Sequence, residues 1–160
     1  MRLILALVFL PPLFAWWLGL RVNWTPSVPT GLYIRDASGP FVEFCPVEPY
    51  AALSKLRDYR PSFGTCPDGR QPLLKRLVAK PGDRVTLSRD GMRVNGYLIP
   101  NSAPRASDSR GRPLWKYPFG LYAVDSGLIW VTGDDPRSFD SRYFGPVPAV
   151  AIRARLRRLF

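Results

Sequence analysis

The longest apolar segment of the chain lies at its start, where residues 3–20 read LILALVFLPPLFAWWLGL and carry no charge. A run of this length is about the minimum with which an α-helix spans the core of a bilayer. The Pro11-Pro12 pair would kink the helix, and the tryptophans near its far end suit the membrane interface. We therefore predict a membrane anchor over residues 1–22 and one domain over residues 23–160. A cleaved signal peptide is the alternative, although the run is long for one and ends in no A-x-A site.

The proline and glycine content indicates the secondary structure of the chain. Its 18 prolines and 13 glycines favour turns and short strands over long helices. Residue patterns predict strands at 31–36, 72–79 and 127–132, two strands in 84–99 about a type I′ turn at Asp90-Gly91, and a closing alternating segment at 147–156. A short helix is predicted within 50–59, inside a segment, 37–70, that we interpret as an insertion or a lid. The predicted fold class is mainly β, with an N-terminal transmembrane helix.

The chain contains no histidine. This absence excludes Ser-His-Asp triads, Cys-His dyads and most zinc sites. The two cysteines, Cys45 and Cys66, cannot form a zinc site alone; they are either two unrelated thiols or a disulfide in an oxidising compartment. The net charge of +11 indicates an anionic partner such as a lipid surface or a nucleic acid.

The segment PLLKRLVA, residues 72–79, contains a lysine whose charge is hard to maintain. In a strand, Leu73, Lys75 and Leu77 share one face, and Arg76 points to the other. Burial in such an apolar row lowers the pKa of the amine, provided that no carboxylate pairs with it. A neutral lysine can replace histidine as the base for a serine nucleophile. The alternative is a lysine that extends from the core to solvent.

The stretch TPSVPTGLY, residues 25–33, supplies a candidate nucleophile. Pro26 and Pro29 restrict the backbone on both sides of Ser27. A stiff backbone positions a nucleophile before the reaction. The hydroxyl of Thr25 is a candidate to join the Ser27 backbone N–H in stabilising an oxyanion.

A polar segment, GDDPRSFDSRYFGPV, follows the predicted strand at 127–132. Its residues Ser138, Asp140 and Arg142 can form an ion pair and can hydrogen-bond a neutral lysine amine. These side chains are therefore candidates for holding Lys75 in place.

Two interpretations of another kind compete with a serine nucleophile activated by a lysine. Asp134, Asp135 and Asp140 are candidate ligands of Mg²⁺ or Ca²⁺, although carboxylates in a loop after a strand are more often turn and cap residues. The positive charge and the aromatic content also suit a membrane-tethered module that binds single-stranded nucleic acid. That interpretation leaves the ordered motifs of the chain unexplained.

The motifs TPSVPTGLY, LLKRLVAKPGD, GMRVNG and GDDPRSFDSRYFGPV, in this order, resemble those of type I signal peptidases, which are membrane serine proteases with a Ser-Lys pair. The resemblance covers residues 24–148. The form Ser-x-Pro-x-Gly-Leu-Tyr of the first motif is most similar to the TraF-type conjugal transfer peptidases. The sequence departs from leader peptidases, which usually have Ser-Met-x-Pro in place of Ser-Val-Pro and asparagine in place of Asp135.

Position by position, the resemblance implies that Ser27 is the nucleophile and Lys75 the general base. It implies that Ser138 orients the lysine amine, and that Asp140 and Arg142 support the site as an ion pair. Thr25 stands where leader peptidases carry a serine that donates to the oxyanion.

The resemblance also implies a setting for the chain. It implies a single-pass protein of the bacterial inner membrane whose catalytic β domain faces the periplasm, which makes a Cys45–Cys66 disulfide more plausible. The implied substrate is a membrane-anchored propilin or preprotein, with the lipid bilayer as a second partner and with no nucleic acid, cofactor or metal. Maturation of a conjugative propilin, by cleavage or by cleavage with cyclisation, is the implied function. General removal of leader peptides from exported proteins is the alternative.

Overall fold

The computed structural model describes residues 19–160. The strands in this range are β1 (Arg21–Asn23), β2 (Gly31–Arg35), β3 (Phe41–Phe44), β4 (Leu73–Ala79), β5 (Arg84–Ser88), β6 (Gly91–Val94), β7 (Tyr97–Leu98), β8 (Gly120–Ala123), β9 (Leu128–Thr132), β10 (Val147–Pro148) and β11 (Ile152–Arg158). The helices are α1 (Tyr50–Leu56), α2 (Ser141–Phe144) and a 3₁₀ turn (Ala149–Ala151). The predicted fold class, mainly β, is confirmed.

The predicted membrane anchor lies mostly outside the described residues. In the part of the chain from residue 19 onward, no helix has the length and apolar character needed to cross a membrane.

A seven-stranded antiparallel sheet, in the order β1-β2-β11-β3-β4-β9-β10, carries the candidate residues. A second sheet has four strands in the order β7-β6-β5-β8. Ala79 and Trp130 of the first sheet pack in one apolar cluster with Val85, Leu87 and Met92 of the second. The second sheet therefore packs against β4 and β9, beyond the part of β4 that carries Lys75.

Two further apolar clusters lie around the central strands. One contains Val42 of β3, Val131 of β9 and Tyr143 of α2. The other contains Tyr33 of β2, together with Val28 from the loop that joins β1 to β2. Because Val28 is fully buried, this loop is fixed at the residue next to Ser27.

The region 84–99 differs from its prediction. It contains three strands, and Ser88 pairs with Gly91, so the first two-residue loop consists of Arg89 and Asp90. The type I′ pattern, with positive φ at both loop residues, occurs one hairpin later, at Asn95 (φ 51°) and Gly96 (φ 88°). Asn-Gly and Asp-Gly are equivalent turn signals in a sequence, and only the strand register distinguishes them.

The segment 37–70 begins with a strand of the main sheet, because β3 pairs with both β4 and β11. The remainder contains the predicted short helix, α1, and a disulfide joins Cys45 to Cys66 with their Cα atoms 5.7 Å apart. The part of this segment that lies outside the sheet is therefore closed into a loop at the end of β3. The predicted closing segment, 147–156, is also interrupted, since the 3₁₀ turn separates β10 from β11.

Candidate active site

Ser27 lies in the loop between β1 and β2, and its backbone is held from outside the loop. The Ser27 carbonyl accepts a hydrogen bond of 2.7 Å from the backbone N–H of Asp134. The Tyr33 hydroxyl donates to the carbonyl of Pro29. The Ser27 side chain itself is half-buried. The loop therefore presents the Ser27 hydroxyl from a fixed backbone.

Lys75 is buried in the main sheet, where its side chain is 3% exposed and its position on β4 is opposite Val42 of β3. Burial lowers the pKa of the Lys75 ammonium to about 8; the field of Asp140 opposes this shift, and that of Arg142 adds to it. Among the described residues no carboxylate forms an ion pair with Lys75, because Asp140 is bonded to Arg142 at 2.7 Å. The amine can therefore lose its proton near neutral pH.

Arg76, the next residue, points to the opposite face of β4. Its guanidinium lies 4.7 Å from the ring centre of Phe41 and bonds both carboxylate oxygens of Asp134, at 2.9 and 2.8 Å. This ion pair fixes the residue whose backbone N–H binds the Ser27 carbonyl. Lys75 and Arg76 therefore lie in different environments, because successive side chains of a strand point to opposite faces of the sheet.

Ser138 lies where the loop after β9 meets the β1–β2 loop that carries Ser27. Its hydroxyl is buried and has no hydrogen-bond partner in the described structure. A Cβ at Gly133 would overlap the Ser138 side chain and would lie 2.6 Å from the Ser27 carbonyl oxygen. The absence of a side chain at Gly133 therefore lets Ser27 and Ser138 both lie close to its backbone. The unpartnered Ser138 hydroxyl can hydrogen-bond an amine.

Asp140 and Arg142 form an ion pair that is fully buried on both sides. Arg142 donates to both carboxylate oxygens at 2.7 Å, and the backbone N–H of Gly133 donates to Asp140 at 2.8 Å. Arg142 also donates to backbone carbonyls, among them that of Ser138 at 2.9 Å. The pair therefore holds the backbone on both sides of the 133–138 loop.

A cleft of about 850 Å³ brings the predicted residues together. Thr25, Ser27, Lys75 and Ser138 all line it. Asp140 and Arg142 do not line the cleft and lie in the interior behind Ser138. The lining also includes residues between 59 and 65, within the disulfide-closed loop, together with Asp108, Ser109 and Leu114.

The Thr25 hydroxyl is 3.2 Å from the Ser27 hydroxyl. It also donates at 2.9 Å to the side-chain oxygen of Asn23, a residue that the motifs did not single out. The order Asn-x-Thr is a local signal for it, because an asparagine oxygen commonly accepts from the residue two positions later. Gly133 and the Arg76–Asp134 pair were also missed, since both depend on contacts between distant segments.

The three carboxylates considered as metal ligands are each bonded to an arginine. Asp134 binds Arg76, Asp135 binds Arg137 and Asp140 binds Arg142, at 2.8, 2.9 and 2.7 Å. Within residues 19–160 no group of three potential ligands comes together. The arginines account for these carboxylates as structural ion pairs.

Comparison with known proteins gives the family. The family model described as signal peptidase, peptidase S26, matches residues 39–160. A plasmid transfer protein TraF of Escherichia coli is 38% identical over 147 residues, which cover 87% of this chain and 81% of that protein. A conjugal transfer protein TraF of Agrobacterium fabrum is 36% identical over 151 residues, covering 89% and 82%.

Among solved structures, a signal peptidase I from Enterococcus faecalis matches with a TM-score of 0.40 and 20% identity, covering 76% of this chain and 97% of that one. The chain belongs to the signal peptidase family, peptidase S26, as a TraF-type member.

Proposed function

We propose that the chain is a serine endopeptidase with a Ser-Lys pair, Ser27 and Lys75, which matures a conjugative propilin. The observation that carries this proposal is the environment of Lys75. The residue is buried, forms no ion pair with a carboxylate in the described structure, and has a pKa lowered to about 8. It lines the same cleft as Ser27. The names of the relatives, plasmid and conjugal transfer proteins, support the choice of substrate. A peptide substrate itself follows from the family.

In the proposed reaction, neutral Lys75 accepts the hydroxyl proton of Ser27 as the serine oxygen attacks the scissile carbonyl carbon. The oxyanion receives hydrogen bonds from the Ser27 backbone N–H and from Thr25. When the tetrahedral intermediate collapses, the C–N bond breaks and Lys75 returns the proton to the leaving amine. Water then hydrolyses the ester, or an amine of the substrate attacks it and closes a cyclic peptide.

The surrounding residues support this chemistry in the proposal. The unpartnered hydroxyl of Ser138 orients the Lys75 amine, and the buried Asp140–Arg142 pair fixes the backbone that carries Ser138. Residues between 59 and 65 contact the substrate in this proposal, since they line the same cleft as Ser27.

The proposed location is the periplasmic side of the inner membrane. The apolar run at residues 3–20 would anchor a single-pass protein, with the catalytic domain over 23–160. The Cys45–Cys66 disulfide supports an oxidising compartment such as the periplasm.

The test uses the full-length enzyme in detergent with a propilin and, separately, with an exported preprotein. Ser27→Ala and Lys75→Ala should each abolish propilin cleavage, whereas Ser126→Ala and Lys116→Ala, at exposed positions outside the cleft, should retain it. Cleavage by either active-site variant would refute the Ser-Lys assignment.

The mass of the product identifies the acyl acceptor. A cyclic product weighs one water less than the linear mature peptide, so mass spectrometry separates cyclisation from hydrolysis. Preferential cleavage of the preprotein over the propilin would favour the alternative, a general signal peptidase.

A further inference from the structure

Asn23, the last residue of β1, is 7% exposed and makes five hydrogen bonds to the β1–β2 loop, which carries Ser27. Its side-chain oxygen accepts from the backbone N–H of Thr25 at 3.2 Å and from the Thr25 hydroxyl at 2.9 Å. Its side-chain nitrogen donates to the carbonyls of Thr25, Val28 and Pro29 at 2.9, 3.0 and 3.1 Å. One side chain thus holds the loop before and after Ser27.

The orientation of this amide follows from its partners. Carbonyl oxygens only accept hydrogen bonds, so the three carbonyls require the NH₂ group of Asn23. The backbone N–H of Thr25 only donates, so it requires the amide oxygen. A flipped amide would place an acceptor against three acceptors.

The amide orientation in turn fixes the direction of the hydroxyl bonds. Because the Asn23 oxygen has no hydrogen, the Thr25 hydroxyl must donate its single hydrogen to it. In the 3.2 Å contact with Ser27, Thr25 is then the acceptor and Ser27 the donor. In the free enzyme the hydrogen bonds therefore run from Ser27 to Thr25 to Asn23.

We propose that Asn23 is a positioning residue for the nucleophile, acting through the Thr25 hydroxyl and through the carbonyls of the loop around Ser27. This inference rests on the proposed roles of Ser27 and Thr25. Asn23 holds the hydroxyl hydrogen of Thr25 until the oxyanion forms, when that hydrogen turns to the oxyanion. It also keeps the Ser27 backbone in the conformation from which attack occurs.

The experiment measures kcat and KM for peptide cleavage by full-length Asn23→Ala, Thr25→Val and the double variant. Asn23→Ala should lower kcat by about tenfold or more, the range expected for a disturbed oxyanion donor, with KM changed by less than about threefold. In the Thr25→Val background, which lacks the hydroxyl, the same substitution should lower kcat by a clearly smaller factor, because only the route through the loop carbonyls is then left to lose. A purely structural role would give the same loss in both backgrounds.

Asn23→Asp is the second variant, for use if Asn23→Ala does not fold. Aspartate keeps an oxygen that accepts from the Thr25 hydroxyl, but it replaces the NH₂ group by an acceptor that faces the carbonyls of Thr25, Val28 and Pro29. It should therefore disturb the loop around Ser27 and lower kcat by about tenfold or more. Because this loss acts through the carbonyls, it should be about the same in the Thr25→Val background.

Ser27→Ala in the same assay separates a failure of the proposed function from a failure of the proposed role of Asn23. Cleavage by Ser27→Ala would overturn the proposed function and this inference with it. An inactive Ser27→Ala together with wild-type kcat in Asn23→Ala or Asn23→Asp, or an equal loss from Asn23→Ala in both backgrounds, would overturn this inference alone.

Discussion

The chemistry of Lys75 depends on the groups around its amine. The strand pattern predicts that this residue shares a face with Leu73, and the structure buries both. The nearby carboxylate of Asp140 would keep the lysine charged, but Arg142 neutralises it through two bonds of 2.7 Å. Desolvation therefore dominates, and the pKa falls to about 8.

The first prediction concerns the pH dependence of activity. The base must be neutral, so kcat/KM should rise about tenfold per pH unit below pH 8 and level off above it, following the Lys75 pKa of about 8. Initial rates of peptide cleavage between pH 5 and pH 10 measure this profile. A profile that is flat over this range would argue against Lys75 as the base.

The second prediction concerns stability. Lowering the Lys75 pKa from 10.5 to about 8 corresponds to a penalty of about 3 kcal/mol on the charged form in the folded protein. Lys75→Met removes this charge and keeps the apolar stem. The variant should therefore be inactive, yet more stable than wild type at pH 7 by up to about 3 kcal/mol.

The pH range over which Lys75 destabilises the folded protein follows from its pKa values in the folded and unfolded states. Below about pH 8 Lys75 is charged in both the folded and unfolded states, so the folded protein bears the full penalty. Between pH 8 and 10.5 the unfolded chain binds the extra proton, and wild-type stability rises with pH. Urea denaturation at pH 7 and pH 10 should show the advantage of Lys75→Met shrinking. The control, Lys116→Met at an exposed position, should show no such advantage.

At the scale of elements, the site forms where the β1–β2 loop meets the loop after β9. Gly133 lies at this junction, with Ser138 on one side and the Ser27 carbonyl on the other. The backbone N–H of Asp134 joins the two loops by donating to the Ser27 carbonyl, and that of Gly133 donates to the Asp140 carboxylate within the loop after β9. The close approach of Ser27 and Ser138 at this junction therefore depends on the absence of a side chain at Gly133.

The third prediction is that Gly133→Ala abolishes activity. The added methyl group would overlap Ser138 and press on the Ser27 carbonyl, so the loops must separate and the reacting groups lose their alignment. Propilin cleavage should fall by about a hundredfold or more, since displacements of about 1 Å cost that much. Gly120→Ala is the control, because its Cβ meets nothing closer than 3.6 Å, and it should cleave normally. Normal activity in Gly133→Ala would show that the loops tolerate separation.

The extent of sequence-based prediction also differs between elements. The orientation of β4 follows from its local alternation, which places Lys75 and Arg76 on opposite faces, and the structure agrees. The type I′ turn lies one hairpin later than predicted, because two equivalent signals lie five residues apart and only strand pairing in three dimensions selects one. The direction of the Thr25 hydroxyl depends on the Asn23 amide and its three carbonyl partners, which no local pattern reveals.

At the scale of the whole molecule, Arg142 joins segments that are distant in sequence. Besides Asp140, its guanidinium binds the carbonyls of Asn101 and Ala103 at 3.1 and 3.3 Å and that of Pro136 at 3.2 Å. Its own carbonyl accepts from the backbone N–H of Tyr117 at 2.9 Å. The sequence predicts the ion pair but not these backbone contacts, through which the connection between β7 and β8 is attached to the candidate site.

The fourth prediction follows from the complete burial of this ion pair. Arg142→Ala leaves the Asp140 carboxylate without its cation and several carbonyls without donors, so the free energy of unfolding should fall by about 3–5 kcal/mol. Urea denaturation, followed by tryptophan fluorescence, measures the loss. The matched control is Arg157→Ala, which removes an ion pair with Asp36 whose arginine is 56% exposed, and it should cost less than about 1 kcal/mol. Similar losses in the two variants would mean that Arg142 acts as an ordinary surface partner, and that the support of the Ser138 backbone must come from elsewhere in the fold.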